Sequence, residues 1–213
     1  MSEVVVKSLP TYTYDLSGDH LSLNFTNTLT DRLLEKPLEH LNSYDDLLAW
    51  SVQAQIINLE EEAQLQEAAQ GRAQEAEHVE EQAIELRESL YRIFLAIAQE
   101  GVPADEDLQF LSTCFIETMA KGHLSFEGGQ CSWRWQIAGA LDSMLWEIIR
   151  GAESLLTAKE LSRVRVCASD DCNWLFLDTS KNHSRRWCDM KGCGNRAKVR
   201  KFYARERKKQ ELA

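Results

Sequence analysis

The chain has 213 residues, 44% of them hydrophobic, which is enough for a buried core in one domain with a small appendage or in two compact domains. No apolar run approaches the roughly 20 residues of a membrane-spanning helix, and no basic segment followed by an apolar one opens the sequence, so we expect a cytoplasmic protein that contacts no membrane. The net charge of −10 divides into +8 for residues 161–213, with 14 Lys and Arg against 6 Asp and Glu, and −18 for residues 1–160, which indicates a basic module on an acidic body.

Helical patterns dominate the first 101 residues. Alternating apolar and polar residues between positions 9 and 28 predict a short strand before the chain turns helical. Ser43 and Asp46 have the spacing of a capping box, in front of an amphipathic helix. Residues 59–83 are rich in Glu, Gln and Ala and predict a long solvated helix with an interruption at Gly71. The apolar periodicity that follows predicts a core helix ending near Gly101.

A β-hairpin is expected within this helical pattern. It follows a further helix, predicted from about Asp105 to Ala120. The segment "HLSFEGGQCSWRWQI" (123–137) contains two alternating stretches around a Gly-Gly turn, which is typical of a hairpin. Residues 136–157 return to helical spacing through Ile137 and Leu141. The body is therefore expected to be helical with a minor β part.

Four of the six cysteines form two close pairs with the spacing C-x4-C-x15-C-x4-C. They are Cys167, Cys172, Cys188 and Cys193. Two such pairs can place four thiolates at the corners of a tetrahedron around one structural Zn²⁺, whereas one pair alone cannot close the site. The alternative is four unligated thiols in a small core. His183 is interpreted as a loop residue.

The surroundings of the cysteines predict a treble-clef-like zinc finger. Short β-type runs flank the first pair, and the second pair ends at Asn195, which can cap the basic helix that follows. The expected fold class is mainly α with minor β: residues 1–158 form a helical domain with a β-hairpin, and residues 159–213 form a four-cysteine zinc finger. The remaining cysteines, Cys114 and Cys131, are predicted to be core thiols.

Basic residues surround the second cysteine pair. The nucleic-acid-binding candidates are Arg185, Arg186, Arg196, Lys198, Arg200, Lys201 and Arg205. On the predicted helix, Val199, Phe202 and Tyr203 are expected to be buried, which would leave the charged groups free to contact phosphates. The alternative is that this helix pairs with the acidic body of its own chain.

Two segments resemble known families. The segment "NHSRRWCDMKGCGNRAKVRKFYAR" resembles the CGNR zinc finger, named for the run from Cys193 to Arg196, and Cys167 and Cys172 stand where that family has its first two ligands. The segments "GDHLSLNFTNTLTDR" and "LRESLYRIFLA" are similar to the ABATE domain that usually precedes this finger. The resemblance implies zinc ligation by the four cysteines and a bacterial stress-induced transcription regulator.

A polar set in the N-terminal match is a candidate ligand-binding site. It consists of His20, Asn24, Asn27, Thr28 and Arg32. Capping and turn hydrogen bonds explain the same residues equally well. Sensing of a small molecule and formation of a homodimer therefore both stay open as roles of the N-terminal domain.

Three functions fit these observations. The first is a DNA-binding transcription regulator, and DNA is favoured over RNA as the partner. The second is an RNA-binding protein, and the third is an interaction module in which zinc holds the fold and the basic helix binds a protein. The sequence has no Gly-rich phosphate loop, G-x-S-x-G or H-E-x-x-H motif, and four thiolates leave no open position for a catalytic water, so we expect no enzymatic activity.

Overall fold

The computed structural model describes residues 12–135 and 139–211 and confirms the expected fold class. In this part of the chain the helices are α1 (Leu21–Thr26), α2 (Tyr44–Gln53), α3 (Leu59–Gln70), α4 (Ala73–Ala98), α5 (Asp105–Ala120), α6 (Ser143–Thr157) and α7 (Asn195–Glu211). The strands are β1 (Leu29–Thr30), β2 (Leu38–Glu39), β3 (Gly122–Glu127), β4 (Gln130–Trp135), β5 (Val164–Val166) and β6 (Leu175–Leu177). Each of the three antiparallel pairs joins consecutive strands. Within the described ranges, no helix is both long and apolar enough to cross a membrane.

Helix α4 lies at the centre of the main core. It packs against α1, α2, α3 and α5, and α6 packs against α1 and α5. The predicted break at Gly71 is confirmed, since α3 ends there and α4 starts two residues later. Beyond this break, the rest of the expected solvated helix and the expected core helix form one continuous helix of 26 residues. The small side chains Ala76 and Ala83 are buried and extend the apolar stripe towards Leu90, so the alanine-rich part also faces the core.

The strand predicted between residues 9 and 28 is wrong for the part that the structure describes, which contains α1. His20 caps this helix by accepting a hydrogen bond from the Ser22 backbone. Ser22 and Thr26 are fully buried. The core tolerates both hydroxyls because each donates to a backbone carbonyl, Ser22 to Ile148 and Thr26 to Leu23. Polar residues that are satisfied inside the core produce an alternation that resembles a half-exposed strand.

Strands β3 and β4 form the predicted hairpin. Gly128 and Gly129 have φ values of 60° and 85°, which suit a two-residue turn that glycine adopts without strain. Helix α6 starts at Ser143, later than the periodicity from 136 suggests, and Ile137 lies outside the described residues.

The β5–β6 hairpin packs into the core of the body. Val164 and Leu175 are buried in the main cluster together with residues of α1, α4 and α6. The Asn27 side chain donates to the Leu175 carbonyl over 2.9 Å and accepts from the Leu175 amide over 3.0 Å, as a neighbouring strand would. The Leu177 amide donates to the Gly18 carbonyl over 2.9 Å. These contacts fix the cysteine-bearing hairpin relative to the helices.

Candidate metal centre

Two structural elements bring the four cysteines together. Cys167 directly follows β5, and Cys172 lies in the turn before β6. Cys188 lies on the loop before α7, and Cys193 lies on the π-type turn Met190–Gly194 that leads into this helix. The Cys167 amide donates to the Trp174 carbonyl over 2.8 Å, which closes the first turn. The Asp189 carboxylate accepts from the Gly192 amide over 2.5 Å and caps the second turn.

The four sulfur atoms have the spacing of a tetrahedral zinc site. All four Sγ atoms lie within 4.8 Å of one another. The Cys172–Cys188 and Cys188–Cys193 Sγ distances are 3.7 and 3.6 Å, close to the edge of about 3.8 Å that a Zn–S bond of about 2.3 Å gives in a tetrahedron. All four cysteines are buried and none forms a disulfide. The residues therefore fit one structural zinc ion, as the sequence predicts.

The thiols compete for negative charge. Hydrogen bonds from Cys172 and Cys188 lower the pKa of Cys167, whereas the hydrogen bonds of Cys188 with Cys167 and Cys172, together with burial, raise the pKa of Cys188. For Cys172, the hydrogen bond with Cys167 and burial likewise raise the pKa. Thiol donors can thus stabilise one thiolate in this pocket, while four thiolates require a cation at the centre.

Aromatic and basic side chains surround the sulfur atoms. Phe176 is fully buried among the cysteines, and Trp174 and Trp187 pack against this small core. The Arg196 guanidinium donates to the Cys193 Sγ over 3.0 Å. Because four thiolates leave a zinc site with excess negative charge, this contact stabilises the ligand set electrostatically.

Arg185 joins the metal centre to the body. Its guanidinium pairs with Asp19 and donates to the carbonyls of Cys188 and, over 2.8 Å, Ser17. It also lies 4.6 Å from the centre of the Phe176 ring. The sequence predicts Arg185 as a nucleic-acid contact, and in the structure its donors are engaged within the chain.

The other basic candidates differ in how they are paired. Arg200 donates to Asp171 over 2.5 Å and lies 3.9 Å from Asp170, and Arg196 lies 3.9 Å from Asp171. The hydrogen bond from Arg200 lowers the pKa of Asp171 to about 2. Among the described residues no ion pair involves three exposed candidates, which are Arg186, Lys198 and Lys201. The side chain of Arg205 lies outside the described residues.

The predicted burial of Val199, Phe202 and Tyr203 is wrong. All three side chains are exposed, because α7 projects beyond the module and no described residue covers it. Asn195 is the first residue of this helix, and the cap before it is formed by Asp189 on the π-type turn. The helix therefore presents basic and apolar groups together.

The polar set of the N-terminal domain makes contacts within the chain. Asn24 accepts from the Gly18 amide, Asn27 pairs with Leu175, and Thr28 donates to the Phe25 carbonyl. Arg32 binds Glu88 over 2.7 Å and stacks 3.8 Å from the Tyr91 ring centre. His20 caps α1, and burial lowers its pKa. Capping and tertiary contacts thus engage all five residues, and the buried Nε of Arg32 is left without a hydrogen-bond partner among the described residues.

A cleft of about 180 Å³ lies beside the metal centre. None of the polar set lines it. Its walls are Asp15, Thr30, Asp31, Asp171, Cys172, Trp174, Cys188, Asp189, Gly192, Cys193 and Arg196. The loops of the body and of the zinc module therefore meet there.

His183 and the two other cysteines do not belong to the group of four sulfur atoms. His183 is exposed, with a φ of 49°, and does not belong to the cluster. Cys114 is half-buried against the main core, as expected. The prediction that Cys131 is a core thiol is wrong, because this residue is exposed on β4, where the hairpin projects from the body.

Comparison with known families gives two matches. The sequence model of the CGNR zinc finger matches residues 163–206, and the model of the family named ABATE, described as "Putative stress-induced transcription regulator", matches residues 19–159. No curated protein matches the chain. The two family matches confirm both resemblances identified in the sequence.

Proposed function

The chain belongs to the ABATE family and carries a CGNR zinc finger, and on this basis we propose that it is a stress-responsive, DNA-binding transcription regulator. The observation that supports this function best is the basic helix α7, which starts two residues after the last zinc ligand and projects into solvent. Zinc fixes the start of the helix, and the helix presents its cations to DNA phosphates.

The charge distribution supports the same role. Residues 161–213 carry a net charge of +8, while the body carries −18. An acidic body weakens non-specific attachment to DNA, and the exposed cations Lys198 and Lys201 attract phosphates locally. The body, joined to the zinc module through Asn27 and Arg185, supplies the regulatory part.

RNA binding is the second candidate because aromatic side chains are exposed on α7. Phe202 and Tyr203 lie 5.6 Å apart between ring centres and are both solvent-accessible. Such rings stack well on unpaired bases, which RNA loops offer more often than duplex DNA.

The proposal assigns the chain no catalytic role, because four thiolates fill the coordination sphere of zinc. The proposed location of the chain is the reducing cytoplasm, where the cysteine thiolates remain available as zinc ligands.

Neutralising two exposed lysines is expected to weaken binding to duplex DNA by about tenfold at 100 mM salt. In the Lys198→Gln/Lys201→Gln chain, two phosphate contacts and the counterions they release are lost. The slope of the logarithm of the binding constant against the logarithm of the salt concentration should therefore decrease in magnitude by about 2. Fluorescence anisotropy with the zinc-loaded full chain, over a series of salt concentrations, measures both quantities.

The matched control removes two positive charges outside the basic segment 161–213. Lys36 and Lys159 are exposed, and replacing both with Gln should leave the salt slope unchanged. Equal weakening by the two double variants would show that only total charge matters. Absence of DNA and RNA binding by the wild-type chain at low salt would contradict the proposed function and favour a protein-interaction module.

Replacing Asp170 and Asp171 with Asn is expected to strengthen DNA binding severalfold. Both carboxylates lie against Arg200, and Asp171 also faces Arg196, so they compete with phosphate for these guanidinium groups. The same anisotropy assay measures the change. Glu67→Gln/Glu77→Gln removes two exposed acids from the body and should have a smaller effect. Unchanged affinity in the Asp170/Asp171 variant would show that Arg196 and Arg200 do not reach the DNA.

A further inference from the structure

The β3–β4 hairpin has one apolar face that the described part of the chain leaves uncovered. Its register pairs Leu124 with Trp133 and Phe126 with Cys131. Residues opposite each other in an antiparallel pair point to the same side, so these four side chains share one face. Leu124 is 64% exposed, Phe126 71% and Trp133 42%, and Cys131 is also exposed.

The two ends of this apolar face are packed differently. Near the base, Trp135 donates to the Thr118 carbonyl over 3.3 Å, and the Arg150 guanidinium lies 4.2 Å from the centre of its ring. Trp133 lies over Gly122, where a Cβ atom would be 3.2 Å from the Trp133 ring. The base is therefore held by α5 and α6, and the tip extends as a two-stranded ribbon.

A two-stranded ribbon with a bare apolar face is marginally stable in water and gains stability when a second layer covers it. The opposite face is polar, with Ser125 paired to Ser132 and Glu127 bonded to Arg134 over 3.0 Å. The alternation is thus complete on both strands, and the apolar side is the one that residues 12–135 and 139–211 leave without a partner.

The charges of the ribbon favour a second copy of the chain as this partner. The body has a net charge of −18, which repels nucleic acid and anionic membranes. Within the hairpin, Glu127 and Arg134 neutralise each other, so the ribbon is a nearly uncharged region of an acidic protein. Two copies can meet there without placing like charges in contact.

We propose that the chain forms a homodimer by packing the apolar faces of two β3–β4 hairpins against each other. With about 150–250 Å² for a whole aromatic side chain and less for leucine and cysteine, the exposed fractions amount to roughly 400 Å² per copy. This is about half of the roughly 800 Å² that each partner buries in a stable complex, so the contact belongs to the class of weak, reversible associations.

Sedimentation of the zinc-loaded full chain across micromolar concentrations tests the dimer. A concentration-dependent monomer–dimer equilibrium is expected. Phe126→Asp should shift it to monomer, whereas Ser125→Asp adds the same charge to the opposite face of the same strand and should retain the dimer. Because Phe126 is exposed, the first variant keeps the fold, which circular dichroism and zinc content verify.

Salt and crosslinking provide independent readouts. Salt screens the repulsion between the acidic bodies, so the dimer should tighten as sodium chloride rises from 50 to 300 mM, opposite to the effect of salt on DNA binding. A short bismaleimide should crosslink two wild-type chains through Cys131, and Cys131→Ser should abolish this product.

Three results would overturn the proposal. One is a wild-type chain that stays monomeric at every concentration. Another is a dimer that Phe126→Asp and Ser125→Asp weaken equally, which would place the contact at a strand edge or elsewhere. The third is a monomer that dimerises only after residues 1–11 are deleted, since that segment would then be the occupant of the face.

Discussion

Replacing Cys188 with alanine is expected to abolish stoichiometric zinc binding and to unfold the region around α7. Cys188 lies 3.7 and 3.6 Å from the sulfur atoms of Cys172 and Cys193, so its loss opens the tetrahedron. Zinc binding to small structural sites contributes about 10–16 kcal/mol at pH 7, which is comparable with the whole stability of a domain. The few aromatic residues packed on the site cannot replace this contribution.

The unfolding should be local rather than global. The β5–β6 hairpin is also held by Asn27 and by burial of Val164 and Leu175 in the main core. Hydrogen exchange should therefore show lost protection at the Gly194 amide, which donates to the Asp189 carbonyl, and retained protection at the Leu175 amide.

Metal analysis measures the first part of this prediction. The wild-type chain should contain about one zinc per chain, Cys188→Ala much less, and the control Cys131→Ala, which changes an exposed thiol, about one. A Cys188→Ala chain with full zinc occupancy would contradict the four-cysteine site.

Replacing Arg87 with methionine is expected to lower the free energy of unfolding by about 3 kcal/mol. Arg87 is 2% exposed and binds both oxygens of Glu39, over 2.5 and 2.7 Å. It also donates to Glu88 over 2.8 Å and to Thr28 over 3.3 Å. Methionine keeps much of the volume but leaves two partly buried carboxylates without this cation. Urea denaturation measures the loss.

The matched control for Arg87 is an exposed pair of the same type. Arg134 bonds to Glu127 on the hairpin surface, and Arg134→Met should cost less than about 1 kcal/mol. An Arg87→Met chain as stable as this control would show that the buried network contributes little.

The same network predicts how acid destabilises the protein. Burial alone would raise the pKa of Glu39, but hydrogen bonds from Arg87 and the backbone outweigh it and lower the pKa. For Glu88 the effect of burial is likewise outweighed by hydrogen bonds from Arg32 and Arg87. Since both folded-state pKa values lie below the unfolded value of 4.5, their stabilisation is complete above it and is lost as the pH falls through the folded values. Arg87→Met should reduce this acid dependence.

The sequence predicts the parts of the structure that depend on local patterns. The cysteine spacing is sufficient to place the four ligands, because two turns and a metal ion determine the geometry. The bounds of α5 and the Gly128–Gly129 turn also follow from local signals. The run from Cys193 to Arg196 identifies the CGNR zinc finger.

Long-range contacts could not be predicted in this way. Asn27 meets Leu175 although 148 residues separate them, and nothing in either segment indicates that partner. Arg185 resembles a phosphate contact in sequence, yet the fold places Asp19 beside it. Phe202 and Tyr203 have helical spacing typical of a buried stripe, but burial also requires a surface to pack on, and the described residues provide none.

Sequencing of nucleic acid crosslinked to the zinc-loaded chain in cells tests the central claim most directly. The proposed function predicts recovery of DNA enriched at defined sites, and loss of that enrichment in the Lys198→Gln/Lys201→Gln chain but not in the Lys36→Gln/Lys159→Gln control. Recovery of RNA alone, or of no nucleic acid above background, would contradict it.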